Sequence, residues 1–205
     1  MAIETWLTFI VAAMALCFTP GPTVLLVMGQ ALSHGRKSVL PLVAGVLAGD
    51  VIAMSLSLLG VGALLATSAE LFTVLKWLGA GYLVYLGIKT WRSKPVEHQS
   101  AVTAQMSGRK VFRESLIVTA LNPKGIIFFM AFFPIFIDSS AAVLPQMLTL
   151  GVSFLMVSAS SALSYSLFSG YLRSRVMSGT FLSRFNQISG GLLVSAGALT
   201  ATVQK

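Results

Sequence analysis

Thr19-Pro20-Gly21-Pro22 interrupts the first long apolar stretch of this chain. A second interruption, Asn122-Pro123-Lys124-Gly125, lies inside another apolar stretch one half-chain later. In lipid every backbone N–H and C=O needs a partner within the protein, so a spanning helix is not broken without compensation. Interrupted apolar segments at corresponding places in two halves point to a transport site. At the first break Pro20 cannot donate to the carbonyl of Leu16, and Pro22 cannot donate to that of Phe18. Gly21 between them lets the backbone leave helical angles. A helix that restarts after such a gap presents free N–H groups and its positive dipole end, which suits a carboxylate. Thr19 is a candidate cap for it. At the second break Pro123 frees the carbonyl of Thr119, Asn122 is a good N-cap, and Pro123 suits the first helical position.

Composition agrees with a lipid setting. Of 205 residues, 56% are hydrophobic and 10% are charged, against about 25% charged in soluble domains. The chain therefore reads as a polytopic membrane protein. Its net charge of +8 does not indicate nucleic acid, because most of the basic residues fall in particular connections between apolar segments, as in cytoplasmic anchoring. A single cysteine, Cys17, excludes an intrachain disulfide or an exchanging thiol pair. In its apolar run it reads as a packing residue. Glu4 and the lack of Lys or Arg before the first apolar run argue against a cleaved signal peptide.

A bilayer core takes about 20 apolar residues per helix. Six segments qualify, near Thr5 to Gly29, Val39 to Ala66, Leu71 to Trp91, Ser115 to Ile137, Val143 to Phe168 and Phe185 to Val203. The odd connections carry Arg36 and Lys37, then the run from Lys89 to Arg113, then Arg173, Arg175 and Arg184; the even ones carry Glu70 and Asp138. The positive-inside bias puts the odd connections in the cytoplasm and both termini outside. Leu40-Pro41 and Leu144-Pro145 each open a helix that follows a broken one, and Gly81-Tyr82-Leu83-Val84 parallels Gly191-Leu192-Leu193-Val194. An odd number of helices per half inverts the second half relative to the first. The expected fold is all-α: two inverted three-helix repeats, with the first and fourth helices broken. Residues 1–91 form one repeat, 92–113 a basic cytoplasmic loop and 114–205 the other repeat. Glycines in the third and sixth helices suggest close packing and a homodimer.

Two charges fall deep inside apolar segments. Lys124 lies roughly 14 Å into the fourth helix and Asp50 roughly 17 Å into the second, at 1.5 Å per residue. A cation at that depth costs at least about 2.5 kcal/mol unless it faces the bundle interior. Gly45 and Gly49 precede Asp50 one turn apart, a small-residue pair that brings helices close. Asp50 is therefore expected to face protein. A carboxylate held between desolvation and a neighbouring cation is a candidate proton carrier or ammonium ligand. The bland alternative is a structural ion pair with Lys124. The serines from Ser153 to Ser166 read as small interhelical contacts, with a polar cavity lining as the alternative. Tyr82 and Tyr85 read as interface residues, and His34 as solvated. No metal-ligand cluster, nucleotide loop or nucleophile–base arrangement is present, so no cofactor, metal or enzymatic reaction is expected.

The chain resembles the lysine exporter family, and within it the threonine and homoserine efflux branch. The resemblance is carried by Thr19-Pro20-Gly21-Pro22, Leu32-Ser33-His34-Gly35, the stretch from Ala44-Gly45 to Asp50, the run from Leu75 to Leu83, Gly87 and Asn122-Pro123-Lys124. It implies a six-helix inner-membrane exporter of amino acids or their analogues, driven by the proton gradient. The sites it carries over are Pro20, Gly21, Pro22, Asp50, Asn122, Pro123 and Lys124. Adding Thr19 from the reading of the break and Thr23, which varies among relatives and bears on substrate, the expected substrate contacts are Thr19, Pro20, Gly21, Pro22, Thr23, Asn122, Pro123 and Lys124, with proton coupling at Asp50. Three other classes stand against it, one of them a structural membrane protein without transport, which would have an apolar, filled bundle centre. A thiol redox carrier needs two exchanging thiols, and a soft-metal exporter needs a His or Cys cluster.

Overall fold

The computed structural model of the chain describes residues 1–19, 21–67, 107–138 and 140–169, with scattered positions within 74–92 and 183–198. Among the described residues the fold is all-helical. Helix α1 spans Ile3–Phe18, with Glu4 in its first turn, where the dipole favours an acid. It ends at Thr19, whose backbone is extended at φ −67° and ψ 124°, the region to which a following proline confines its neighbour. Helix α2 runs from Pro22 to His34, and its axis departs from that of α1 by 57°. A short 3-10 turn, Gly35–Ser38, leads into α3, Val39–Thr67.

The second break repeats the first in backbone terms. Helix α4, Gly108–Ala120, gives way to α5, Pro123–Ile127, and the stretch Pro123–Phe136 is bent from α4 by 44°. Asn122, the residue before proline, is again extended, at φ −71° and ψ 111°. Beyond α5 the helix widens into one π turn, Phe128–Phe132, and then tightens into a 3-10 turn, Phe133–Phe136. Helix α6, Val143–Leu167, follows. Helical structure begins at Gly108, well before the apolar stretch that starts near Ser115. Val111, Ser115 and Thr119, spaced one turn apart, are the buried face of α4. Arg109, Lys110 and Arg113 occupy its exposed flank, and their charge hides the helix from a hydropathy reading.

Among the described residues, two helical stretches are long and apolar enough to cross a bilayer unaided: Val39–Gly60, 22 residues, and Val143–Leu167, 25 residues. At 1.5 Å per residue these extend about 33 and about 37 Å, against a hydrocarbon core of about 30 Å. Each bent pair, α1 with α2 and α4 with α5 and its extension, also qualifies when taken as one span. Every described residue within 74–91 and within 183–198 is helical. Glu70, Lys76 and the loop at 93–106 lie outside the described residues.

Lipid tails are as apolar as leucine, so helices here associate by close van der Waals contact rather than by the hydrophobic effect. Helices α3 and α4 meet through Gly45 and Gly49. A Cβ on Gly49 would lie 2.7 Å from the carbonyl oxygen of Leu116, and one on Gly45 would lie 2.8 Å from the Cβ of Ser115. Helix α6 touches α1, α2 and α3. Gly87 and Gly190 face each other within one chain, with a Cβ on Gly87 falling 2.7 Å from the carbonyl oxygen of Gly190. Gly87 and Gly190 are therefore occupied by intrachain packing, whereas a Cβ on Gly81 would meet nothing within 4 Å.

Two apolar clusters divide the bundle along its length. One gathers Phe9 and Leu16 of α1, the phenylalanines from Phe128 to Phe136, and Phe154 of α6. Its rings meet edge to face, as between Phe9 and Phe133 at 5.5 Å and 86° and between Phe129 and Phe154 at 4.8 Å and 71°, the arrangement that the ring quadrupole favours. The other is built from valine and leucine of α2 and α3 with Val111, Ala162 and Tyr165.

Candidate functional site

Both breaks open on one cavity that sits between the two clusters. Its volume is about 50 Å³, more than a single water requires. Leu16 and Phe154 wall it on the aromatic side, and Val24, Val27 and Val46 on the other. Its polar lining includes Thr23, Asp50, Asn122, Lys124, Ser158 and Tyr165.

The end of α1 shows how the broken backbone is satisfied. The Leu16 carbonyl, which Pro20 cannot serve, accepts from the Lys124 ammonium at 2.7 Å. The Phe18 carbonyl, which Pro22 cannot serve, accepts from the Tyr165 hydroxyl at 2.7 Å. Between them, the Cys17 carbonyl accepts from Ser161 Oγ at 2.8 Å. The Thr19 carbonyl takes a second bond from Lys124, at 2.9 Å. Thr19 is 2% exposed, and its hydroxyl turns back to the Ala15 carbonyl. It thus closes α1 and does not cap α2, contrary to the sequence expectation. Gly21 is the close-approach glycine here: a Cβ would stand 3.3 Å from Lys124 Nζ.

The second break is capped as its sequence implies. Asn122 Oδ1 accepts from the Lys124 backbone N–H at 3.1 Å, and the Thr119 carbonyl freed by Pro123 accepts from the Asn122 N–H at 3.1 Å. The side-chain amide of Asn122 donates to Thr23 Oγ1 at 3.2 Å. Thr23 and Thr119 share a hydroxyl contact at 3.5 Å. The two breaks are therefore stitched together reciprocally. Lys124 of the second reaches the carbonyls of the first, and Thr23 of the first reaches the cap of the second.

Asp50 is 7% exposed and faces protein. Ser158 Oγ of α6 donates to its Oδ2 at 2.5 Å. Asp50 and Lys124 line the same cavity, yet their hydrogen bonds go to other groups. Among the described residues no direct ion pair joins them. The cavity thus has an anionic side at Asp50 and a cationic side at Lys124. An ammonium has three donors, and two of those of Lys124 are committed to α1. Pro22 brings no N–H, so Thr23 and Val24, both in the lining, supply the first N–H groups of α2.

Of the residues singled out from sequence, Gly21, Thr23, Asp50, Asn122 and Lys124 line the cavity. Thr19 contributes a carbonyl beside it. Pro22 and Pro123 are exposed and shape the breaks from outside, and Pro20 lies outside the described residues. Tyr165 went unnoticed in the sequence, and Ser158 and Ser161 were read mainly as packing. The signal was present: positions 158, 161 and 165 share one helical face at i, i+3 and i+7, and all three line the cavity.

Paired broken helices around a polar cavity in an apolar helical bundle define a membrane translocator class. The LysE type translocator profile matches residues 14–203, and the chain belongs to that family. It is 31% identical over 204 residues to a protein of Vibrio cholerae serotype O1 named only as an uncharacterized membrane protein, covering 100% of both chains. A homoserine/homoserine lactone efflux protein of Salmonella typhimurium is 29% identical over 204 residues, with coverage of 100% of this chain and 99% of the relative. A leucine efflux protein of Klebsiella pneumoniae is 32% identical over 216 residues, covering 98% and 97%. No solved structure matches the chain significantly.

Proposed function

We propose that this protein exports amino acids or their close analogues across the inner membrane, coupled to proton entry. The observation that carries the reading is one cavity holding a cation and a carboxylate that are not paired with each other. A zwitterion needs both. Its carboxylate is placed against the uncommitted proton of Lys124 and the opening N–H groups of α2, an anion site by charge and by dipole. Its ammonium, or a proton in exchange, is placed at Asp50. The efflux names of the relatives support the substrate class.

The proposed architecture is six helices in two inverted three-helix halves, 1–91 and 114–205, joined by a basic cytoplasmic loop, with both termini outside. Rocking of one half against the other opens the cavity alternately to each side. In that orientation the aromatic cluster closes the outer face and the valine-rich cluster the inner face. A metal exporter is disfavoured by the lining, since no group of three or more His, Cys, Asp or Glu side chains occurs among the described residues. No ATP-binding motif supplies the work, which falls to an ion gradient.

The test is uptake of a panel of amino acids into inverted vesicles, where export from the cytoplasmic face reads as accumulation in the lumen, with and without an imposed pH gradient. Flux is expected to rise with a gradient directed as in the cell and to fall when an ionophore collapses it. Flux of the same substrate that ignores the gradient would remove proton coupling while leaving export intact.

A further inference from the structure

The last four carbonyls of α1 and its cap, from Leu16 to Thr19, all accept from side chains that lie more than a hundred residues away in sequence. Such carbonyls form the negative end of a helix and are normally the orphans of its last turn. Two of them, Leu16 and Thr19, converge on the single ammonium of Lys124 at 2.7 and 2.9 Å. These are charge-assisted bonds, roughly twice as strong as neutral ones. The absence of a side chain at Gly21 leaves the ammonium its room. The remaining two carbonyls are closed by hydroxyls, Ser161 on Cys17 and Tyr165 on Phe18.

We infer that the broken end of α1 is a built site for one primary ammonium, and that Lys124 is the chain's own tethered occupant of it. The ligand class is a monovalent cation that can donate hydrogen bonds to at least two carbonyls. Lys124 is then a positioning residue for the break. While it is seated, a substrate ammonium is kept off these carbonyls and directed to Asp50, the carboxylate of the same cavity. The inference about the carbonyl site rests on geometry alone, and only its consequence for the substrate depends on the export reading.

Lys124→Ala vacates the site and leaves a space that propylammonium fits. The purified full-length variant is compared with the parent in detergent, in propylammonium chloride and in tetramethylammonium chloride at equal ionic strength. Tetramethylammonium carries the same charge and has no N–H donor. The melting temperature of Lys124→Ala is expected to rise by roughly 3 °C or more with propylammonium, in a saturating manner. It is expected to stay level in tetramethylammonium, and the parent to respond to neither. Should the variant fold only when extracted in propylammonium, the site is supported by the same logic. An equal response to both salts, no response to either, an equal response by the parent, or failure to fold in both salts would overturn the inference. The readout is stability, so its failure is distinct from a failure to transport.

Discussion

Asp50→Asn is expected to abolish export while the protein still inserts and folds. Asparagine has the shape of aspartate, and its amide oxygen can still accept from Ser158, which now donates to Asp50 Oδ2 at 2.5 Å. The substitution therefore leaves the packing of α3 on α6 in place. What it removes is the only carboxylate among the described lining residues of the cavity, and with it the capacity to hold an ammonium by charge or to carry a proton. A positioned proton-transfer group contributes about 100-fold or more, so export at matched membrane abundance is expected to drop to about one hundredth of the parent's rate or below. The check is efflux of preloaded amino acid from cells or vesicles, alongside the melting temperature of the purified variant. Export near the parent's rate would make Asp50 a structural group and leave proton coupling without a carrier in this cavity.

Gly49→Ala is the second large effect. The added Cβ would lie 2.7 Å from the carbonyl oxygen of Leu116, 2.7 Å from the Cβ of Thr119 and 3.0 Å from the backbone nitrogen of Ala120. Two of these are backbone atoms, which cannot swing aside, so α3 and α4 must separate. Overpacking of this kind costs about 1–3 kcal/mol. It also acts on the site, because Thr119 lines the cavity and contacts Thr23, and Asp50 is the next residue along α3. Thermal stability and export are both expected to fall. Gly29→Ala is the matched control. A Cβ there meets nothing within 4 Å, and alanine favours the helix over glycine by about 1 kcal/mol, so stability should hold or rise. An unchanged melting temperature in Gly49→Ala would contradict the close α3–α4 contact.

Much of this site could be read in the chain because proline chemistry is local. Pro20, Pro22 and Pro123 each name the carbonyl they leave without a donor, and at Thr19 and Asn122 the residue before the proline leaves helical angles, which a following proline disfavours. The inward turn of Asp50 was legible for a similar reason: Gly45 and Gly49 mark the face that approaches another backbone. The donors that close α1 were not legible. Lys124, Ser161 and Tyr165 meet Leu16, Cys17 and Phe18 only through the tertiary fold, and nothing in the sequence separates a lysine that binds substrate from one that caps a helix. The same limit hid the turning of Thr19 back onto Ala15. The early start of α4 was obscured by its charged flank, since hydropathy registers Arg109, Lys110 and Arg113 but not the buried stripe of Val111, Ser115 and Thr119. The π turn at Phe128–Phe132 holds no proline or glycine itself; its one signal was Pro134, which cannot donate to the Met130 carbonyl and went unread.

The central claim is that the gap between the two breaks carries the substrate. Thr23 lines that gap and joins both breaks, so it is the position to probe. In a Cys17→Ala background that retains export, Thr23→Cys is reconstituted and treated with a membrane-impermeant thiol reagent, with and without each exported amino acid. The account predicts labelling that an exported amino acid slows in proportion to its occupancy and that a non-exported one leaves unchanged. Labelling that no exported substrate affects, or a cysteine unreachable from either side in a protein still exporting, would contradict it.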